Sequence, residues 1–127
     1  MVIMKKLDLK STSSFIVCFM ITAMHAPVFT CNLKAISLAR RPHYNDLFKR
    51  LRAAVRGRNE ILNGYALNLD AKAITLSEVA EWISLERLCC PFLTLTLKAS
   101  GNQPDWTLTL TGPPGVKAIL DAEFHSR

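Results

Sequence analysis

Three patterns predict an α+β fold for this chain, a two-layer domain with a mainly antiparallel sheet and helices packed on one face. Leu93, Leu95 and Leu97 alternate with Thr94, Thr96 and Lys98, and Trp106, Leu108 and Leu110 alternate with Thr107, Thr109 and Thr111. That period of two marks strands with one apolar and one polar face. An Asn63-Gly64 pair stands between the short apolar runs of residues 60–69, a hairpin signal. Apolar residues recur every three or four positions over 44–55 and 76–90, as they do in helices that bury one face.

Taken in order, residues 28–33 are predicted as a short strand. The first helix is predicted over 38–56, with Tyr44, Leu47, Phe48, Leu51 and Val55 on one stripe, Pro42 in its first turn and Gly57 as terminator. In the hairpin, Tyr65, Leu67 and Leu69 should point inward. The second helix opens on Thr75 as N-cap with Glu78 three residues on, while Ile74 and Val79 are spaced as a hydrophobic staple. Pro91 ends it, because the residue before a proline is pushed out of helical geometry. Leu76, Val79, Trp82, Ile83 and Cys90 share its buried arc. Two strands joined by the turn at 100–104 follow, and Val116, Ile119, Leu120 and Phe124 form a last short helix after Gly112-Pro-Pro-Gly115.

The 127 residues, half of them hydrophobic, suit a single core. Lys5, Lys6 and Lys10 precede an apolar run at 15–24 in the order of a signal peptide, a run too short to span a bilayer. No small-x-small pair stands before a plausible cut, and Met24 offers an internal start. The expectation is an N-terminal extension at 1–23, one α+β domain at 24–127, a cytoplasmic location and reduced thiols. Export is the alternative, with residues 1–26 acting as the signal.

The formal charge is +6, and Arg40, Arg41, Lys49, Arg50, Arg52, Arg56 and Arg58 face only Asp46 within their segment. Confined to one helix, such charge reads as a solvated face or a dock for an acidic protein partner. No aromatic residue interleaves with it for stacking on single strands, and no second basic helix suits a duplex. Neither a specific nucleic acid nor, for the domain itself, a membrane is therefore an expected partner.

The densest chemistry lies in Glu86-Arg87-Leu88-Cys89-Cys90-Pro91-Phe92. Glu86 falls near the centre of the second helix's apolar arc and should point inward, within reach of Cys89 and Cys90. With Cys31 brought in from the first strand, Cys31, Cys89, Cys90 and Glu86 would form a site for a thiophilic metal or metalloid ion, Glu86 serving as ligand or as acceptor of the thiol protons. The spacing is not that of structural zinc sites, since no Cys-x-x-Cys occurs. His25 and His43 are spare ligands, and His43 should lie on the surface. The alternative is a non-catalytic structural or interaction module in which Glu86 pairs with Arg87 or an arginine of the first helix, and the cysteines pack as small hydrophobes. A catalytic cysteine ranks third, because a helix C-terminus disfavours a thiolate. Gly112-Pro-Pro-Gly-Val-Lys117 is followed by Ala118, and it lacks the pattern of a nucleotide-binding loop.

Cys31-Asn-Leu33, Gly64-Tyr-Ala-Leu67, Glu86-Arg-Leu-Cys-Cys-Pro-Phe92 and Leu110-Thr-Gly-Pro-Pro-Gly-Val-Lys117, in that order, resemble a family of small, functionally uncharacterised bacterial proteins. The resemblance spans about residues 28–124. It implies a domain that excludes 1–23, and it implies no activity.

Overall fold

The inward alternation of Tyr65, Leu67 and Leu69 sets the sheet. In β2 (Gly64–Leu69) these residues lie opposite Leu110, Leu108 and Trp106 of β4 (Trp106–Thr111). On the outer flanks, β1 (Val55–Ile61) pairs with β2 and β3 (Thr94–Lys98) pairs with β4, so the all-antiparallel order is β1-β2-β4-β3. Three helices, α1 (Arg41–Ala54), α2 (Leu76–Cys89) and α3 (Val116–Phe124), complete the α+β fold by packing against the sheet. This computed structural model describes residues 30–124; the expectations for the extension at 1–23, the start at Met24 and His25 lie outside the described residues.

The core joins Leu67, Leu69, Leu108 and Leu110 of the sheet to Leu47, Leu51, Val79, Trp82, Leu85 and Leu120 of the helices. All three helices meet at an aromatic group. Phe48 stacks on Trp82 with centroids 5.6 Å apart, and Phe124 meets Phe48 edge-on at 5.5 Å, both favoured arrangements of aromatic pairs. The start of α2 forms as predicted: the Glu78 amide donates to the Thr75 hydroxyl, the Thr75 amide to the Glu78 carboxylate, and Ile74 and Val79 are buried beside them. Leu85 is buried on this helix, whereas Leu76 stands 37% exposed.

Several boundaries differ from the sequence reading. Residues 30–33 contain no strand; the Asn32 side chain accepts the Lys34 amide and turns the chain into a 3-10 turn at Leu33–Ala35. A second such turn, Leu38–Arg40, precedes α1, which keeps Pro42 in its first turn but ends at Ala54. Val55 passes directly into β1, opposite Leu69, with a bulge before Gly57. Gly57 is thus a strand residue, since β-branched Val55 gains a cross-strand partner that another helical turn would forgo. The hairpin turn is Leu62-Asn63, one residue earlier than Asn63-Gly64. Asn63 takes the left-handed conformation, with φ of 57°, which asparagine tolerates better than most residues.

These shifts also redistribute the basic segment. Arg56 and Arg58 lie on β1, where Arg56 reaches Asp105 at 3.2 Å and Arg58 reaches Asp121 at 3.1 Å. On α1, Arg50 pairs with Glu78. The solvated basic helix expected from the sequence is corrected accordingly: its last two cations belong to the sheet. Among the described residues no helix is long and apolar enough to cross a membrane.

Gly64 supplies the close approach between β2 and β4, because a Cβ there would lie 1.9 Å from the Leu110 carbonyl oxygen. Gly64→Ala should therefore lower stability by about 3 kcal/mol or more. Gly101→Ala, where a Cβ meets nothing within 4 Å, should stay within about 0.5 kcal/mol of the parent. Urea denaturation of the two variants checks the contrast.

Candidate functional site

The capping box at Thr75 and the stop at Pro91 fix both ends of α2. Between them Val79, Trp82, Glu86 and Cys89 follow at spacings of three or four residues and share one face. Burying Trp82 therefore buries Glu86, which is 0% exposed. Its partner comes from α1: the Tyr44 hydroxyl donates to Glu86 Oε1 at 2.5 Å. Glu86 Oε2 is buried without a hydrogen-bond partner among the described residues.

Beyond Cys89 the helix leaves backbone carbonyls to be satisfied. The Asn32 amide donates to the Cys89 carbonyl at 2.8 Å, which lays the segment before the first 3-10 turn against the end of α2. Cys31 and Cys90, 59 residues apart in sequence, are joined there in a disulfide with Cα atoms 4.6 Å apart. Cys89 is a free, buried thiol.

From the third helix comes a residue the sequence reading passed over. Glu123 lies beside Phe124, and its Oε2 is 3.4 Å from Cys31 Sγ. Its Oε1 is buried with no partner among the described residues. The signal was present: Glu123 follows Val116 by seven residues and Leu120 by three, so it continues an apolar stripe as Glu86 does in α2. Tyr44 belongs to the apolar stripe of α1, and its phenol contributes the hydrogen-bond donor as well.

These groups form two overlapping ligand sets. The sulfurs of Cys31, Cys89 and Cys90 lie within 4.8 Å of one another, as do the ligand atoms of Cys31, Glu86, Cys90 and Glu123. A cluster of cysteine and glutamate that can hold a metal ion is therefore present. Of the four residues singled out from the sequence, Cys31 and Cys90 belong to both sets, Cys89 to the first and Glu86 to the second.

Two expectations need correction. Cys31 arrives in an irregular segment instead of a strand, and it is bonded to Cys90, so the described state is a disulfide with one thiol, not three reduced thiols. Arg87 is exposed and makes no ion pair with Glu86 among the described residues, because it sits one residue, about 100° of helix, away from the buried face. Tyr44 takes the role assigned to it. His43 is exposed and 2.8 Å from Glu81.

The electrostatics follow from burial of like charges. Burial, with Glu123 adding to it, raises the Glu86 carboxyl to about 7 against the opposing Tyr44 hydrogen bond. Glu123 is raised by burial too, opposed by Arg52, whose guanidinium lies 4.8 Å over the Phe48 ring. Burial pushes the Cys89 thiol up, and Glu86 and Glu123 push it further. The resting cluster thus favours protonated acids and a protonated thiol, which is the opposite of an activated nucleophile.

A carboxyl that keeps its proton in the fold up to about pH 7, but gives it up near pH 4.5 when unfolded, means that the native state holds more protons between those values. Stability should then fall as pH rises through that window, with a limiting slope of about 1.4 kcal/mol per pH unit for one proton. Urea unfolding across the window should show this decline. Glu86→Gln should reduce the slope, and Glu123, raised in the same direction, should keep part of it.

Compared with protein-family models, curated proteins and solved structures, the chain matches none of them.

Proposed function

We propose that the cluster binds a soft metal or metalloid ion through Cys31, Cys89 and Cys90 in the reduced chain, with Glu86 and Glu123 as adjoining carboxylates. The observation that carries this reading is the convergence, within 4.8 Å, of three sulfurs from two distant parts of the chain, next to two buried carboxylate oxygens that lack partners among the described residues. Hard cations such as Mg²⁺ and Ca²⁺ seek oxygen ligands and water, whereas thiolates select soft ions. The raised Cys89 thiol must lose its proton on binding, which favours an ion of high thiolate affinity. Charge balance points the same way. Three thiolates around a trivalent metalloid form a neutral unit, which a buried site accommodates without a compensating cation. Glu86 and Glu123 are positioned to supply oxygen ligands alongside Cys31 and Cys90 once they give up their own protons.

Docking of an acidic protein partner by the basic segment has less behind it, because Arg50 on the first helix and Arg56 and Arg58 on β1 are engaged by acids of the same chain. Membership of the family marked by Glu86-Arg-Leu-Cys-Cys-Pro-Phe92 is likewise proposed on residues alone, and it supplies no activity.

Native mass spectrometry of the fully reduced chain with arsenite, mercuric ion and zinc tests the reading. One ion of arsenite or mercury per chain is expected, held more firmly than zinc. Loss of an outer-shell partner costs a metal site roughly 10- to 100-fold in affinity, and Cys31→Ser or Cys89→Ser should each cost at least as much. Absence of stoichiometric uptake by the reduced chain, or serine variants that bind as tightly as the parent, would overturn it.

A further inference from the structure

Resting on the soft-ion reading, we infer that the Cys31–Cys90 disulfide is a reversible gate on that site: the bonded form is closed to the ion, and two-electron reduction by a small thiol of the glutathione class opens it. Two of the three sulfurs are consumed in the bond while Cys89 stays free. A disulfide sulfur has no thiolate to offer, and one buried thiol cannot chelate a soft ion alone.

Three features of the fold suit a gate better than a permanent staple. The Cys31 segment is held by more than its sulfur: the Asn32 amide donates to the Cys89 carbonyl at 2.8 Å, Ile36 is buried to 1% exposure, and Arg41 Nε donates to the Ile36 carbonyl at 2.9 Å. Breaking the S–S bond leaves Cys31 beside its former partner, with its sulfur available. Cys31 Sγ also lies 3.4 Å from Glu123 Oε2. As a thiol, Cys31 can donate a hydrogen bond to that carboxylate, and as a disulfide it has no hydrogen to give. Finally, Cys31 is half-buried and Cys90 fully buried, so an incoming thiolate meets one sulfur first.

The chemistry balances with the small thiol as the sole reductant. Its thiolate attacks Cys31 Sγ, the S–S bond breaks, and Cys90 leaves as a thiolate that takes up a proton. A second small thiol attacks the mixed disulfide at the sulfur of the first and releases Cys31, which is protonated in turn. Overall, one protein disulfide and two small thiols become two protein thiols and one small disulfide. The three thiols then bind the ion as thiolates: with arsenite, three As–S bonds replace three As–OH bonds, and each thiol proton leaves with a hydroxide as water.

The test uses the full chain equilibrated at graded ratios of reduced to oxidised glutathione, then exposed to arsenite and read by native mass spectrometry. Reduction adds two hydrogens to the mass, and circular dichroism follows the fold. Arsenite uptake should track the reduced fraction and be at least tenfold weaker in the oxidised form. In Cys89→Ser the disulfide should still open and close while uptake is lost, which separates gate from ligand. Equal uptake by oxidised and reduced chains would overturn the gate and leave the binding reading standing. Collapse of the fold on reduction would also overturn it, by making the bond a staple. A folded, reduced chain that takes no arsenite would sink the binding reading and the gate with it.

Discussion

The hydrogen bond from the Tyr44 hydroxyl to Glu86 is the constraint around which the helical layer is organised. A carboxylate in the middle of an apolar helix face is costly unless its oxygens are met. Tyr44 meets one of them, and to do so α1 must cross α2 where Tyr44, Phe48 and Trp82 share contacts. Phe124 completes the aromatic group from α3 and carries its neighbour Glu123 towards the same place. Among the described residues the second Glu86 oxygen and one Glu123 oxygen remain unmet, so the polar demand of the cluster exceeds what those residues provide.

Termination of α2 and convergence of the sulfurs are one event. Pro91 cannot continue the helix, so the carbonyls of its last turn need other donors. The Asn32 amide fills that need at Cys89, and the residue before Asn32 is the cysteine bonded to Cys90. A backbone capping requirement thereby recruits the third sulfur. The adjacency of Cys89 and Cys90, awkward for a bond between themselves, becomes useful once a sulfur from outside the helix approaches both.

Charge differs between the surface and the buried cluster. Three arginines are matched by acids, with Arg56 beside Asp70 and Asp105, Arg58 beside Asp121 and Arg50 beside Glu78. Inside, Glu123 adds to the burial that raises Glu86, both acids push the buried Cys89 thiol up, and Arg52 is the cation acting on Glu123.

Local rules read from the chain alone determined the fold class, the α2 capping box, the alternating strands and the inward face of Glu86, because each depends on residues within a few positions of one another. The same stripe logic reached Glu123, had it been applied to α3. Tertiary structure alone decided the end of α1 at Ala54, the turn at Leu62-Asn63, Tyr44 in place of Arg87 as the partner of Glu86, and the bond between Cys31 and Cys90. Each of these is a choice between local alternatives of similar free energy. Contacts from elsewhere in the chain settle such choices: Leu69 across from Val55, α1 laid over α2, and an N-terminal amide seeking the last carbonyls of a helix.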